Sequence, residues 1–462
     1  MIRPIRPFVV LATLVLGAAP AVAQPTAARP FGTLREQAAM QREWLKKRLE
    51  TFLPALMRRH AIDMWVVPMR EYNEDPVFTA ITAPETFAAR RRTIYVFFDT
   101  CAAASTPPSA SCVERIALGG TSQGGVFEAR RSTRPATGGR GQQAELWGDE
   151  QWQILKAVIE ERNPRAIGIN RSRVFAFSDG LSSGELEGMS EALGAAWTGK
   201  FRNAEGLPLE LIASRLPEEE AFFRRMQELV WSLTRRMFSS EVIAPGRIRT
   251  SDLVWWWRQQ VNDLGLATWF QPSVDVQRKG MTDAQVGSDP VIERGDVLHC
   301  DVGITVARLN TDTQHMAYVL REGETEAPAG LAGALANSNA LQDITMEEIR
   351  PGRTGNEILA ASLSRLKAKG IDGTLYSHPI GLHGHGAGPL IGLWDYQDGV
   401  PGRGDAKVIP SMWFSIELQT TTPVPEWGDQ RVRMPQEEDA IVGADGKTRW
   451  ALRRQDTLFL VR

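Results

Sequence analysis

Hydrophobic and polar positions alternate most tellingly between Val297 and Val319, where VLHCDVGITVARLNTDTQHMAYV contains two strand-like runs. Val297–Gly303 and Thr311–Val319 are dominated by residues that favour strands, and the polar link Arg308–Asn310 lies between them. If the runs pair as an antiparallel hairpin, Asp301 and Asp312 fall on one face as cross-strand neighbours, with Cα atoms roughly 4.5–5.5 Å apart. Two carboxylates that close repel each other unless a proton or a cation lies between them, and Asp is a poor strand former. A bridging divalent metal accounts for both.

The same reading organises the rest of the chain. Thr33–His60 carries apolar residues at helical spacing and predicts a surface helix, preceded by a short tether over residues 24–32. Strand-length apolar runs at Met64–Met69, Thr93–Asp99, Cys112–Leu118 and Ala166–Asn170 are interspersed with helical stretches such as Gly148–Arg162 and Ser183–Leu193, which predicts an α/β N-terminal domain. Near Ala213 the character changes. Pro217-Glu218-Glu219-Glu220 opens a long amphipathic helix with its acidic residues where the helix dipole favours them. The boundary is placed there, dividing residues 24–212 from 213–462. The second part contains an echo: Glu241–Arg247 and Glu348–Arg353 each read as helix end, Pro-Gly break and a capped second helix. The two Pro-Gly pairs are 106 residues apart, which points to two similar halves.

Composition adds compartment and excludes some partners. The 462 residues suffice for two domains with a large core, and the net charge of -2 shows no electrostatic footprint for nucleic acid. Residues 1–23 have Arg3 and Arg6, an apolar stretch Phe8–Ala19, and Ala21-Val22-Ala23 before Gln24, the layout of a secretory signal peptide cut after Ala23. The apolar run is shorter than the ~20 residues a membrane span needs, so the expectation is a secreted or periplasmic protein without stable membrane insertion. Cys101 and Cys112 flank a Pro-rich loop that they can close as a disulfide in an oxidising compartment; the spacing equally allows two unpaired thiols. Cys300 points away from Asp301 by strand alternation and reads as core. The Gly-Gly-Arg-Gly within Arg131–Gln143 lacks the strand–turn–helix frame of a phosphate loop, and the segment reads as a mobile loop.

Three further potential ligands follow the Asp pair. His378 opens the Gly-rich run HPIGLHGHG, Glu417 lies in the strand-like Met412–Gln419, and Glu437-Glu438 begin EEDAIV, which leads into another strand-like segment. Alone, each has a bland reading as a strand end, a loop histidine or a solvated acid. Together, two Asp, one His and two Glu form an oxygen-rich set suited to Mn, Co, Fe or Zn in a two-metal site rather than to a structural zinc site.

These residues resemble the creatinase/aminopeptidase P/methionine aminopeptidase group, the pita-bread metallopeptidases, over about Pro217 to Arg462. The carriers are Gly295-Asp296-Val297 through Asp301-Val302-Gly303, Thr311-Asp312-Thr313, His378 with Ile380-Gly381-Leu382, and Phe414-Ser415-Ile416-Glu417. The resemblance implies an α/β N-terminal domain followed by an α+β pita-bread C-terminal domain. It implies two divalent metal ions, Mn first with Co or Zn as alternatives, held by Asp301, Asp312, His378, Glu417 and Glu437, with Glu438 as the fallback for the last ligand. It implies a peptidase acting on peptide N-termini, with Xaa-Pro bonds as the expected substrate, and a homodimer as the assembly. By the same resemblance Glu417 doubles as proton shuttle and His385 contacts substrate or intermediate, while His383 reads as a loop residue. Two alternatives are a non-catalytic peptide-binding protein and a hydrolase of a non-peptide C–N bond. The chain also departs from the family pattern. No histidine lies between His60 and His299, where Xaa-Pro-cleaving members carry one; Gln271 or Ser273 are the substitutes at hand, and His315 stands where an arginine is usual.

Overall fold

The computed structural model describes residues 29–101, 112–134 and 144–462. The expected signal peptide and the Gly-Gly-Arg-Gly run lie outside these residues. Two sheets divide the strands. The first is six-stranded, with β1 (Met64–Arg70), β2 (Arg92–Asp99), β3 (Val113–Leu118), β4 (Glu128–Arg130), β5 (Ile167–Ile169) and β6 (Phe201–Asn203) in the order β4-β3-β2-β1-β5-β6. β1, β2 and β3 are antiparallel neighbours, and β5 joins β1 in parallel. The helix Asp149–Arg162 packs Leu155 and Ile159 onto Met64, Val66 and Ile94 of this sheet. This is the mixed α/β layer that the spacing of apolar runs predicts.

The expected helix over Thr33–His60 is two helices, Leu34–Thr51 and Leu53–Arg59. Pro54 is the reason. It has no N–H to donate and sits in the first turn of the second helix, where none is needed.

The second sheet carries the chemistry. Its strands are β7 (Ser273–Gln277), β8 (Val297–Val302), β11 (Thr313–Val319), β12 (Asp372–Leu375), β13 (His378–Ile380), β14 (Trp413–Val424), β15 (Gln430–Val442), β16 (Thr448–Trp450) and β17 (Phe459–Val461). The order runs β12-β14-β15-β11-β8-β7, with β13, β16 and β17 joining β14, β15 and β11. The polar link after β8 is itself a small hairpin of β9 (Thr305–Val306) and β10 (Leu309–Asn310). Its two loop residues, Ala307 and Arg308, have φ of 50° and 67°, as a tight twisted hairpin turn requires. Neither is glycine, so the turn is strained, and the Arg308 guanidinium holds it by donating to the carbonyls of Thr79, Thr82 and Ala83.

Helices cover one face of this sheet from two sides. Pro217–Met237 shares its core with Leu298, Cys300 and Val302 of β8, while Ala329–Glu348 and Gly355–Ala368 share theirs with Phe414, Ile416 and Leu418 of β14. Phe223 stacks on Trp413 at 4.3 Å, worth about 1 kcal/mol beyond its buried area. The paired Pro-Gly breaks sit at matching places, after Pro217–Met237 and after Ala329–Glu348, with Gly246 and Gly352 at φ of 80° and 91°. In the second copy Thr354 and Glu357 close a capping box on Gly355–Ala368.

Candidate metal centre

Strand register brings the acidic side chains into one line. Asp301 of β8 stands opposite Gln314 of β11, Gln314 opposite Glu437 of β15, and Glu437 opposite Glu417 of β14. Asp312 precedes Gln314 by two residues, so alternation puts it on the same face. It is therefore the diagonal neighbour of Asp301, not the direct cross-strand neighbour expected from the sequence. The small hairpin between β8 and β11 sets this register. His378 enters from β13, opposite Ser415 of β14.

Ligand atoms of these residues converge. Asp301, Asp312 and Glu437 form one group with ligand atoms within 4.8 Å of one another; His378, Glu417 and Glu437 form a second, and Asp312, His378 and His385 a third. His378 Nε2 lies 3.4 Å from Glu437, 3.8 Å from Asp312 and 3.8 Å from Glu417. Its Nδ1 lies 2.9 Å from the carbonyl of Pro379, which can only accept, so Nδ1 donates there and Nε2 is turned toward the acids. Asp301 Oδ1, Asp312 Oδ1 and His378 Nε2 are buried with no hydrogen-bond partner among the described residues. Buried carboxylate oxygens crowded together without donors are a repulsive arrangement that a cation resolves, so the residues present fit a divalent metal centre.

The electrostatics agree. Burial, and then the Glu437 charge, push Asp301 up to about 7 and hold Asp312 and Glu417 well above the usual carboxylate range. These groups resist ionising together unless positive charge joins them. Glu438 is different. It turns to the opposite face, where its Oε1 lies 3.1 Å from His315 Nε2 and its Oε2 accepts from Trp231 Nε1 at 3.3 Å. Glu437, not Glu438, joins the cluster, and His315 occupies the covered face as a buried partner of Glu438. The strand holding both begins at Gln430, seven residues before the acids that the sequence reading took as its approach.

A cavity of about 570 Å³ opens beside the cluster, lined in part by Tyr376, His378, His385, Trp394, Arg403 and Glu417. His385 sits partly exposed at its wall, edge-on to His378 at 4.8 Å and to Trp269 at 5.2 Å. Partial burial and then the neighbouring His378 lower its pKa, so the ring is neutral at neutral pH. Trp269 fixes the loop by donating to the carbonyl of Thr311 at 2.9 Å. His383 instead packs against Phe177, at 4.8 Å. Of the two proposed substitutes for the absent histidine, Gln271 accepts from Arg258 at 3.0 Å, whereas Ser273 stands opposite Asp301 in the register line.

Sequence reasoning passed over Gln314, Trp269 and Arg403. Gln314 had a signal, since two residues beyond Asp312 in a strand means the same face. Arg403 and Trp269 had none, because only tertiary folding brings Arg403 to the cavity and Trp269 against His385.

Residues 222–444 match the model of Metallopeptidase family M24. Solved structures share the fold. X-Pro aminopeptidase from Thermotoga maritima MSB8 superposes with a TM-score of 0.56 at 15% identity, covering 88% of this chain and 100% of that one. Xaa-Pro dipeptidase from Bacillus anthracis gives 0.55 at 17%, covering 92% and 99%. The N-terminal domain of FACT complex subunit SPT16 from Cicer arietinum gives 0.55 at 15%, covering 91% and 99%. At these identities the structures speak for the fold alone. No curated relative matches the chain in sequence. The fold is that of the pita-bread proteins. The C-terminal part of this chain is a member of metallopeptidase family M24.

Proposed function

We propose that the protein is a peptidase dependent on two divalent metal ions, manganese first among them, that hydrolyses N-terminal Xaa-Pro bonds outside the cytoplasm. The observation that carries this reading is the convergence of Asp301, Asp312, His378, Glu417 and Glu437, with Glu437 shared between two ligand groups. Two adjoining groups with a common carboxylate suit two cations side by side. Such ions supply Lewis acidity, acidifying a water and polarising a carbonyl. The chain's own groups do the rest. Glu417, facing the cavity, takes the proton released by the attacking water and delivers it to the leaving amine. Neutral His385 donates its N–H to the oxygen on which charge develops. Arg403 and Arg433, both on the cavity wall, offer cationic groups to a substrate carboxylate, and Trp394 offers an apolar face to a proline ring.

The proline preference is carried over by analogy with an X-Pro aminopeptidase and an Xaa-Pro dipeptidase of the same fold. The pita-bread fold also serves a FACT complex subunit domain, so fold leaves catalysis open and the ligand set decides. The Cys101–Cys112 disulfide supports an oxidising compartment, as the signal-like N-terminus does. The test is hydrolysis of Xaa-Pro di- and tripeptides by metal-stripped protein reloaded with Mn, Co or Zn, alongside Asp301→Asn. Activity that returns with metal and is absent from the variant supports the reading, and the dipeptide-to-tripeptide ratio assigns dipeptidase or aminopeptidase type. Protein that binds two metals yet cleaves none of these peptides overturns the substrate assignment. Protein that binds no metal overturns the whole proposal.

A further inference from the structure

A second cluster of buried charge lies where the N-terminal domain meets the catalytic one. Arg48, on the helix Leu34–Thr51, is 4% exposed in its side chain, and its Nη2 donates to Glu219 Oε1 at 2.5 Å. Arg215 reaches the same oxygen with Nη1 at 3.5 Å, and both it and Glu219 are 1% exposed. Glu219 Oε2 is already committed to the backbone N–H of Leu216. One carboxylate therefore answers two guanidiniums. Arg308 adds a third cation on the far side, its own donors spent on the carbonyls of Thr79, Thr82 and Ala83.

Between these groups is a cavity of about 30 Å³, room for a single small guest. Arg48, Glu219 and Arg308 are its charged walls; Gln41 and Thr79 are polar walls, and Leu382 is an apolar one. Three buried polar atoms on these wall residues have no hydrogen-bond partner among the described residues: Arg48 Nη1, Thr79 Oγ1 and Gln41 Oε1. Unpartnered buried donors signal a guest, and the charge decides which kind. Burial and then the Arg48 charge push Arg215 down to about 9 and lower Arg308 as well, the response of cations crowded without enough anions. A water satisfies donors and leaves the excess charge untouched. A halide satisfies Arg48 and the Thr79 hydroxyl and also cancels one unit of that charge. For the halide, the Gln41 amide turns its NH₂ inward, giving up a bond to the carbonyl of Gln37.

We propose that this cavity binds one halide-sized monovalent anion, held by Arg48 and Thr79 and faced by Arg308, that ties the N-terminal domain to the catalytic domain. Its walls explain why the tie matters. Arg308 belongs to the turn joining the strands of Asp301 and Asp312, and Leu382 lies between His378 and His385. An anion lodged there braces both segments from behind without touching the acid cluster. This inference stands on residues apart from the metal ligands and holds or fails independently of the proposed peptidase activity.

The test uses the metal-loaded full chain in sodium chloride, sodium bromide or sodium gluconate at equal ionic strength. Gluconate is too large for the cavity, so Tm is expected to rise saturably with halide by about 1–3 °C over gluconate. Crystals grown in bromide should show an anomalous bromine peak between Arg48 and Thr79. Gln41→Glu brings a tethered carboxylate to the same place, so this variant should reach the halide-stabilised Tm in gluconate and lose both the halide response and the bromine peak. Equal Tm in halide and gluconate, or a water in the cavity with no bromine peak, overturns the proposal. So does a Gln41→Glu variant that responds to halide as the parent does. If that variant does not fold, the bromide map of the parent chain decides alone.

Discussion

Gln314 stands directly opposite Glu437 across β11 and β15, and its Nε2 donates to Glu437 Oε2 at 3.1 Å and to Glu417 Oε1 at 2.6 Å. One neutral amide thus orients two carboxylates that would otherwise repel. The amide is itself anchored, since Gln314 Oε1 lies 2.9 Å from His299 Nε2, and His299 Nδ1 lies 3.3 Å from Asp275 Oδ2. The chain Asp275–His299–Gln314 runs along alternating positions of three neighbouring strands, so sheet register alone aims it at the centre.

Gln314→Leu removes that orienting bond while keeping side-chain bulk. The expected outcome is a metal affinity weaker by about 10–100-fold, as is typical when an outer partner of a ligand is lost. Calorimetric titration of the metal-free variant with Mn measures it. An affinity equal to that of the parent chain would show that Glu417 and Glu437 are held by the strands alone.

Adjacent acids should behave oppositely. Glu437 faces His378, whereas Glu438 faces His315 and Trp231 on the covered side of the sheet. Glu437→Gln should abolish stoichiometric metal binding, because it removes a charge from both ligand groups. Glu438→Gln should keep the metal stoichiometry and change stability by about 1 kcal/mol, since an amide can replace a buried carboxyl whose pKa burial has raised. Metal content after dialysis, together with denaturant unfolding, separates the two. Loss of metal from the second variant would reverse the assignment of the faces.

Much of this centre was legible in the sequence because strand alternation is a strict rule. Once 297–319 reads as paired strands, the common face of Asp301 and Asp312 follows, as does the burial of Cys300 behind them. The register did not follow. It depends on how many residues the turn consumes, and Arg308 stabilises a left-handed two-residue turn through carbonyls more than two hundred residues earlier in the chain. Glu437 and Glu438 show the same limit, since adjacent acids always point to opposite faces and only the partner strand says which face is inner. The short strands β4 and β6 escaped notice, for three residues are too few to display a period. The division into an α/β part and a strand-rich part was visible from spacing, while its pita-bread form came from the ligand motifs.

Metal removal should make stability depend on pH with a definite sign. Asp301 is pushed up to about 7 in the folded, metal-free chain from an ordinary value of 3.8, and Asp312 and Glu417 shift the same way. The folded state then holds more protons than the unfolded state between those values, so stability falls as pH rises through that window. A divalent ion replaces the protons and removes the penalty. Thermal unfolding of metal-free protein should therefore show a lower Tm at about pH 8 than at about pH 5, with Mn restoring it most at the higher pH. Asp75, pushed up to about 6 by burial in the N-terminal sheet's surroundings, contributes a slope of the same sign that metal does not remove. Asp75→Asn should erase that residual slope. A metal-free Tm that rises steadily from pH 5 to pH 8 would contradict the crowding of acids at the centre.

His385 provides the sharpest division between holding metal and using it. It lies within ligand distance of Asp312 and His378, yet it is partly exposed on the cavity wall, with its ring edge-on to both Trp269 and His378. A ligand would need its nitrogen fixed toward the acids, whereas a donor to substrate needs an N–H that faces the cavity. The ring carries an N–H in either protonation state, and the cavity supplies the access. His385→Ala should therefore bind the full complement of metal and retain KM within a few-fold, while kcat falls by about 10²–10³-fold, the scale for losing one donor to developing charge. His385→Gln, which keeps an N–H near the same place, should recover part of that loss. Measuring metal content and steady-state constants on the same preparations tests both. Loss of metal together with activity would make His385 a ligand, and unchanged kcat would remove it from the chemistry.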